Sequence, residues 1–152
     1  MKAIILAGGK GTRLKPYTTV FPKPLMPIGD KPILEIVIRQ LKSHAFDEII
    51  ITVGHLAELI MTFFTDGSKI GVKIEYSRED NPLGTAGGLG LIKEELNKTF
   101  LMMNGDVLTT LDYSDLGNYH KRNGAIATIA LNKRDVKIDF GVVLNSMIVT
   151  AS

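Results

Sequence analysis

The first eleven residues constrain the fold more than any other stretch. Lys2–Leu6 (KAIIL) is a short, strongly apolar run, the pattern of a strand buried on both faces of a sheet. Gly8, Gly9 and Gly11 follow within four residues. Glycines at the carboxyl end of a buried strand permit a tight turn and let a ligand reach backbone N–H groups with no Cβ in the way. Arg13 adds a planar, permanently charged fork suited to phosphate oxygens. A second basic stretch, Phe21-Pro22-Lys23-Pro24-Leu25-Met26-Pro27, follows eight residues later. Its prolines stiffen the segment that carries Lys23, so less entropy is left to lose when the lysine is held in place. The chemistry of this stretch is that of a polyphosphate site.

The rest of the chain repeats the opening pattern of apolar strand, turn and helix. Pro32 to Ser43 reads as a helix with an apolar stripe of Ile33, Ile36/Val37 and Leu41. Glu48 to Val53 (EIIITV) reads as a second buried strand ended by Gly54, and Leu56 to Phe64 as a helix leaving through Asp66-Gly67. Val72 to Tyr76 alternates as a third strand. A polar loop leads into Pro82–Gly88 and then a helical stretch to about Asn97. Thr99 to Met103 is a fourth buried strand that stops at Asn104-Gly105-Asp106. Asp112 is placed to cap a helix that runs to about Asn123 and closes at Gly124. Ala125 to Leu131 and Phe140 to Leu144 are further expected strands. Strands alternating with helices predict one α/β domain over 1–152, a three-layer sandwich with a mostly parallel central sheet. Ligands on such sheets sit at the carboxyl ends of strands, where Gly8–Arg13, residues 78–88 and Asp106 all fall.

Two common phosphate motifs are excluded. The dinucleotide fingerprint needs glycine where Leu14 stands, and a P-loop needs Ser or Thr where Gly11 follows Gly9-Lys10. The stretch instead resembles the N-terminal signature of the sugar-1-phosphate nucleotidylyltransferases, or nucleotide-sugar pyrophosphorylases. The likeness runs from LAGGKGTRL (Leu6–Leu14) through Pro16 and Thr18 to PKPLMPI (Pro22–Ile28) and Lys31-Pro32-Ile33. It implies a Rossmann-like nucleotide-diphospho-sugar transferase fold.

Charge distribution agrees with a small polyanion as ligand. Residues 1–31 hold six basic side chains against Asp30 alone, a local +5 in a chain whose net charge is +2. No basic helix or aromatic-interleaved stripe suggests nucleic acid as a partner. There are no cysteines, so a thiolate metal site and a disulfide framework are excluded. No run approaches the roughly 18 apolar residues of a membrane helix. The opening residues also lack a secretory pattern, so the cytoplasm is the expected compartment.

The resemblance assigns further roles. Asn104-Gly105-Asp106 would be only a turn by itself; with the signature, Asp106 matches the family's metal-holding aspartate, and a hard carboxylate suits Mg²⁺. Leu6, Ala7, Gly8, Gly9, Gly11 and Thr12 would bind the nucleotide, while Lys10 is open between phosphate and solvent. Leu83-Gly84-Thr85-Ala86-Gly87-Gly88 resembles the segment that closes over the base, with Gly84 and Thr85 as its nucleotide contacts. Glu79 matches a position that reads the base edge. Guanine offers two adjacent donors that one carboxylate accepts together, whereas uracil and thymine suit an amide better. This leans toward GTP and toward the mannose- or heptose-1-phosphate guanylyltransferase type. Gly141 matches a sugar-contacting glycine. His44, His55 and His120 have no ligand spacing and read as structural or surface residues.

The implied reaction joins a nucleoside triphosphate and a sugar 1-phosphate into a nucleotide-sugar plus pyrophosphate. Arg13 would hold the β- and γ-phosphates, Lys23 would bridge the α-phosphate and the sugar phosphate, and Asp106 would hold Mg²⁺. A sugar-binding Glu-Lys segment and a second metal aspartate of the family have no match before Ser152. The expected domain is therefore C-terminally incomplete: a piece of a longer protein, a naturally short one, or one completed by another chain, with homo-oligomerisation left open. The alternatives are a non-catalytic nucleotide-binding module or regulatory subunit, and a UTP- or dTTP-using pyrophosphorylase.

Overall fold

A computed structural model describes residues 1–79, 84 and 87–133. In chain order these form β1 (Lys2–Leu6), a small antiparallel hairpin of β2 (Pro27–Ile28) and β3 (Lys31–Pro32), then α1 (Ile33–Ser43) and β4 (Glu48–Val53). They continue with α2 (Ala57–Phe64), β5 (Lys73–Arg78), β6 (Phe100–Asn104) and α3 (Tyr113–Asn123). Three single 3₁₀ turns, at Thr12–Leu14, Tyr17–Thr19 and Lys23–Leu25, carry the chain from β1 to the hairpin.

The four longer strands make one parallel sheet in the order β5-β4-β1-β6, the α/β architecture expected from the alternation of elements. The chain steps outward from β1 to β4 and β5, then returns to the far side of β1 with β6. The strand order therefore reverses between β1 and β6. In open α/β sheets ligands bind at such a switch point, beyond the carboxyl ends of the strands.

Strand alternation divides the apolar side chains between two faces. Ala3 and Ile5 of β1, Ile49, Ile51 and Val53 of β4 and Ile74 of β5 point to one face. There they meet Leu34, Val37, Ile38 and Leu41 of α1 and Ile60 and Phe64 of α2. Full burial of such a side chain contributes about 1.5–3 kcal/mol, and this face holds the main core. The stripe of α1 holds Val37 and Leu41 as expected, but it is completed by the fully buried Leu34 and Ile38, while Ile33 and Ile36 are partly exposed. The other face buries Ile4 and Ile50 against Ile92, with Leu6, Leu89, Leu96 and Phe100 around them. Ile92 belongs to the helical stretch expected after Gly88, which forms as a 3₁₀ segment, Gly87–Glu95, interrupted at Ile92 (φ −117°, ψ 19°). Gly87, Gly88 and Gly90 in its first turns oppose a regular α-helix.

The α3 helix begins and ends as its sequence dictates. The Asp112 carboxylate accepts from the amides of Ser114 (2.8 Å) and Asp115 (3.0 Å), and Gly124 closes the helix in the left-handed region (φ +55°). Those amide bonds, led by that of Asp115, hold the Asp112 carboxyl below the usual carboxylate range.

The expected strand at Ala125–Leu131 is corrected. This segment has no regular structure, and Ile126, Ile129 and Leu131 are exposed. Its apolar spacing suits a strand, but among the described residues no neighbour pairs with it, and an unpaired strand leaves its backbone groups unsatisfied. The expected strand at Phe140–Leu144 lies outside the described residues.

Candidate functional site

The site grows out of the end of β1. The Ala7 amide still donates to the Thr52 carbonyl of β4 (2.9 Å), and the Leu6 carbonyl accepts from the Gly105 amide beyond β6 (2.9 Å). After Ala7 the pairing stops. Among the described residues, no backbone amide from Gly8 to Arg13 donates to a main-chain carbonyl. Six successive donors at the switch point are thus left without main-chain acceptors, and successive free backbone amides are a common way to bind anions. Leu6 is half-buried, Ala7 is buried, and Gly9, Lys10, Thr12 and Arg13 are exposed. The Arg13 guanidinium has no ion-pair partner among the described residues.

Lys23 reaches the same place from the proline-rich segment. Its 3₁₀ turn is closed by the Leu25 amide on the Pro22 carbonyl (2.9 Å) and the Met26 amide on the Lys23 carbonyl (3.0 Å). Leu25, 4% exposed, plugs the turn into the core beside α1. Lys23 is thus presented from a stiff, anchored turn, and its Nζ donates to Asp106 Oδ2. Residues 83 apart in sequence meet there. Asp106 is positioned by Gly105, where an added Cβ would lie 3.0 Å from Ile5 Cγ2 and 3.4 Å from Leu34 Cδ1. A larger residue there would have to push the Ile5 side chain aside by a few tenths of an ångström.

A second close approach seats Glu79. The Glu79 amide donates to the Val53 carbonyl (2.8 Å), extending the β4–β5 pairing by one residue. Its carboxylate lies beside two glycines. A Cβ on Gly8 would be 3.6 Å from Glu79 Oε1, and one on Gly88 would collide with it and lie 3.4 Å from Thr52 Cγ2. Gly8, Glu79 and Gly88 therefore form one cluster at the carboxyl ends of β1 and β5. Gly84 is exposed with φ +83°, a left-handed conformation that favours glycine. Thr85 and Gly141 lie outside the described residues.

Two supports of the glycine loop escaped sequence reasoning. Gly54 lies against Gly8 so closely that an added Cβ would be 2.9 Å from the Gly8 carbonyl oxygen. Gly11, in the left-handed region (φ +59°), lies against Thr18, whose hydroxyl donates to the Gly11 carbonyl (2.9 Å). His55 Nε2 lies 3.2 Å from the Thr18 carbonyl oxygen. The signal at Gly54 was its place at a strand end. Nothing local marked Thr18 or His55 as partners, since 37 residues separate them.

The donor set fits a hard divalent ion held in part by substrate. Among the described residues no three His, Asp, Glu or Cys side chains converge on a common point. Asp106 offers one partly buried carboxylate that already holds a cationic group. Mg²⁺ is commonly bound through one or two carboxylates plus phosphate oxygens, not by an all-protein cage.

The model of a family described as Nucleotidyl transferase matches residues 2–147. A UTP–glucose-1-phosphate uridylyltransferase of Synechocystis sp. is 42% identical over 158 residues, covering 95% of this chain and 41% of that protein. Mannose-1-phosphate guanylyltransferase 1 of Arabidopsis thaliana is 38% identical over 149 residues, with the same coverage of 95% and 41%. The chain thus spans about two fifths of the length of these curated relatives. Among solved structures, HddC from Yersinia pseudotuberculosis, complexed with GMP-PN, superposes with a TM-score of 0.70 at 30% identity over 78% of this chain and 53% of that one. A Bacillus anthracis protein described as a glucose-1-phosphate thymidylyltransferase, in complex with sucrose, gives a TM-score of 0.74 at 31% identity over 80% and 50%.

Proposed function

Because this chain belongs to the nucleotidyl transferase family, among the sugar-1-phosphate nucleotidylyltransferases, we propose that it forms the nucleotide-binding part of an enzyme making a nucleotide-sugar. An oxygen of a sugar 1-phosphate attacks the α-phosphorus of a nucleoside triphosphate. The bond from that phosphorus to the bridging oxygen breaks, and pyrophosphate leaves. The nucleophile is already an anion, so alignment and charge neutralisation carry the catalysis in place of a strong base.

The single observation that carries this reading is that six amides, Gly8 to Arg13, with no main-chain acceptor among the described residues, lie beside the Lys23–Asp106 pair at the strand-order reversal. The amides receive the phosphate chain. Arg13 holds the β- and γ-phosphates as they leave, and Lys23 bridges the α-phosphate and the incoming sugar phosphate. Asp106 would hold Mg²⁺ together with substrate oxygens, and the ion, when bound, supplies charge neutralisation and alignment. Lys23 and the metal both draw on Asp106, so nucleotide phosphates must take over part of the lysine's pairing.

Glu79, held beside Gly8 and Gly88, reads the base edge, and we favour GTP as substrate. Gly84 and Thr85 cover the base, and Gly141 contacts the sugar. A second reading, UTP as substrate, is favoured by the 42% identity to a uridylyltransferase. No helix among the described residues is long and apolar enough to cross a membrane, and the cytoplasm is the compartment we propose. Pyrophosphate release, measured across the four common nucleoside triphosphates and several sugar 1-phosphates, tests the proposal. Release with GTP and a hexose or heptose 1-phosphate supports it; release with UTP alone favours the second reading; no release from the full-length protein contradicts both.

A further inference from the structure

We propose that Thr18 and His55 are positioning residues that fix the direction of the peptide joining Gly11 to Thr12, and with it the amide that faces the nucleotide's phosphates. The inference rests on the reading of the glycine loop as a phosphate cradle. It concerns how the loop is held, and neither residue touches the substrate.

The Gly11 carbonyl accepts twice, from the Leu14 amide (2.9 Å) and from the Thr18 hydroxyl (2.9 Å). A peptide unit is planar and trans, so its C=O and the next N–H point in opposite directions. Two donors drawing the Gly11 carbonyl one way therefore aim the Thr12 amide the other way. That amide has no main-chain acceptor among the described residues. A left-handed residue such as Gly11 (φ +59°) can flip its flanking peptide at little steric cost, so an outside constraint is needed to keep one orientation.

Thr18 supplies the constraint because Thr18 is itself immobilised. It is 2% exposed, and its Cγ2 occupies the space where Gly11 would carry a Cβ, 2.9 Å from that point. Its carbonyl meets His55 Nε2 at 3.2 Å. A carbonyl only accepts, so Nε2 carries the proton and donates. His55 follows Gly54, the glycine that lies against Gly8. The end of β4 thus grips the loop at both ends: Gly54 beneath Gly8, and His55 through Thr18 beneath Gly11. A donor held in place before the substrate arrives spares the cost of ordering it on binding.

The test uses the full-length protein and four variants: Thr18→Val, Thr18→Ser, His55→Leu and His55→Gln. Steady-state KM is measured for the nucleoside triphosphate and, in the reverse direction, for pyrophosphate, alongside KM for the sugar 1-phosphate. Thr18→Val keeps the shape and removes the donor; it should raise both phosphate-chain KM values about tenfold, the scale of losing one orienting hydrogen bond, and leave the sugar-phosphate KM near wild type. Thr18→Ser restores the hydroxyl and should restore those values. His55→Leu should repeat the Thr18→Val split more weakly, and His55→Gln, which keeps a donor, should reverse it. If Thr18→Val does not fold, the His55 pair decides. Uniform loss across all three substrates, or equal effects of donor-keeping and donor-lacking variants, overturns the inference and leaves the cradle standing. Wild-type protein that binds no nucleoside triphosphate overturns the cradle reading and this inference with it.

Discussion

The two faces of the central sheet are built differently from the same four strands. One lies under α1 and α2, with nineteen buried residues in a single cluster among those described. Among the described residues, the other buries Ile4, Ile50 and Ile92 in its cluster, beneath the glycine-rich 3₁₀ segment Gly87–Glu95. Its amino-end row is charged, with Lys2, Glu48 and Lys73 side by side in register and Lys2 paired with Glu95 (3.2 Å). Regular helices pack densely and fix the sheet. The glycine-rich segment packs less, but Gly88 can then lie flush against Glu79 and Thr52 at the site.

Substitutions at the candidate site should break function without disturbing either face. Lys23→Ala or Asp106→Ala is expected to cut turnover about a hundredfold to a thousandfold, with the circular dichroism spectrum and cooperative melting retained. Wild-type turnover in either variant removes that residue from the mechanism. On the helix-covered face, Ile38, fully buried, becomes a cavity in Ile38→Ala. Urea unfolding should show a loss of about 2–5 kcal/mol. On the opposite face Ile92, 7% exposed in a small cluster, has less packing to lose. Ile92→Ala should cost about 2 kcal/mol or less, and an equal or larger loss than Ile38→Ala would erase the contrast between the faces.

The smallest effect is alkaline. Tyr76 on β5 donates its hydroxyl to the Thr65 carbonyl (2.7 Å), and burial, with the nearby Asp66 charge, pushes its pKa up to about 12 from 10.0. The folded state holds this proton more tightly than the unfolded state. Its contribution is therefore complete below the ordinary tyrosine value and lost as pH climbs through about 12. Melts between roughly pH 9 and 12 should fall less steeply in Tyr76→Phe, which has no proton to lose.

The sequence disclosed the helix-covered face better than the other. KAIIL and EIIITV leave no polar alternative for a strand, and Asp112 and Gly124 mark both ends of α3 by local chemistry. The glycine loop could be proposed as a phosphate site because its glycines, Arg13 and the stiff Lys23 segment lie within one short stretch. Contacts through space were not legible. Gly54 and Gly8, or Thr18 and His55, become neighbours only after β1 and β4 pair, and no local pattern announces that. Ala125–Leu131 misled for the opposite reason: its composition suits a strand, while strand formation depends on a partner.

The central claim is that the amides from Gly8 to Arg13, with Lys23, receive the phosphates of a nucleotide beside Asp106. Amide-resolved NMR of the ¹⁵N-labelled chain, titrated with Mg²⁺ and GTP, tests it most directly. The largest saturable shifts are expected on Gly8–Arg13, Lys23 and Asp106, and Mg²⁺ with guanosine should move them far less. Largest shifts elsewhere, with Gly8–Arg13 unmoved, would contradict it.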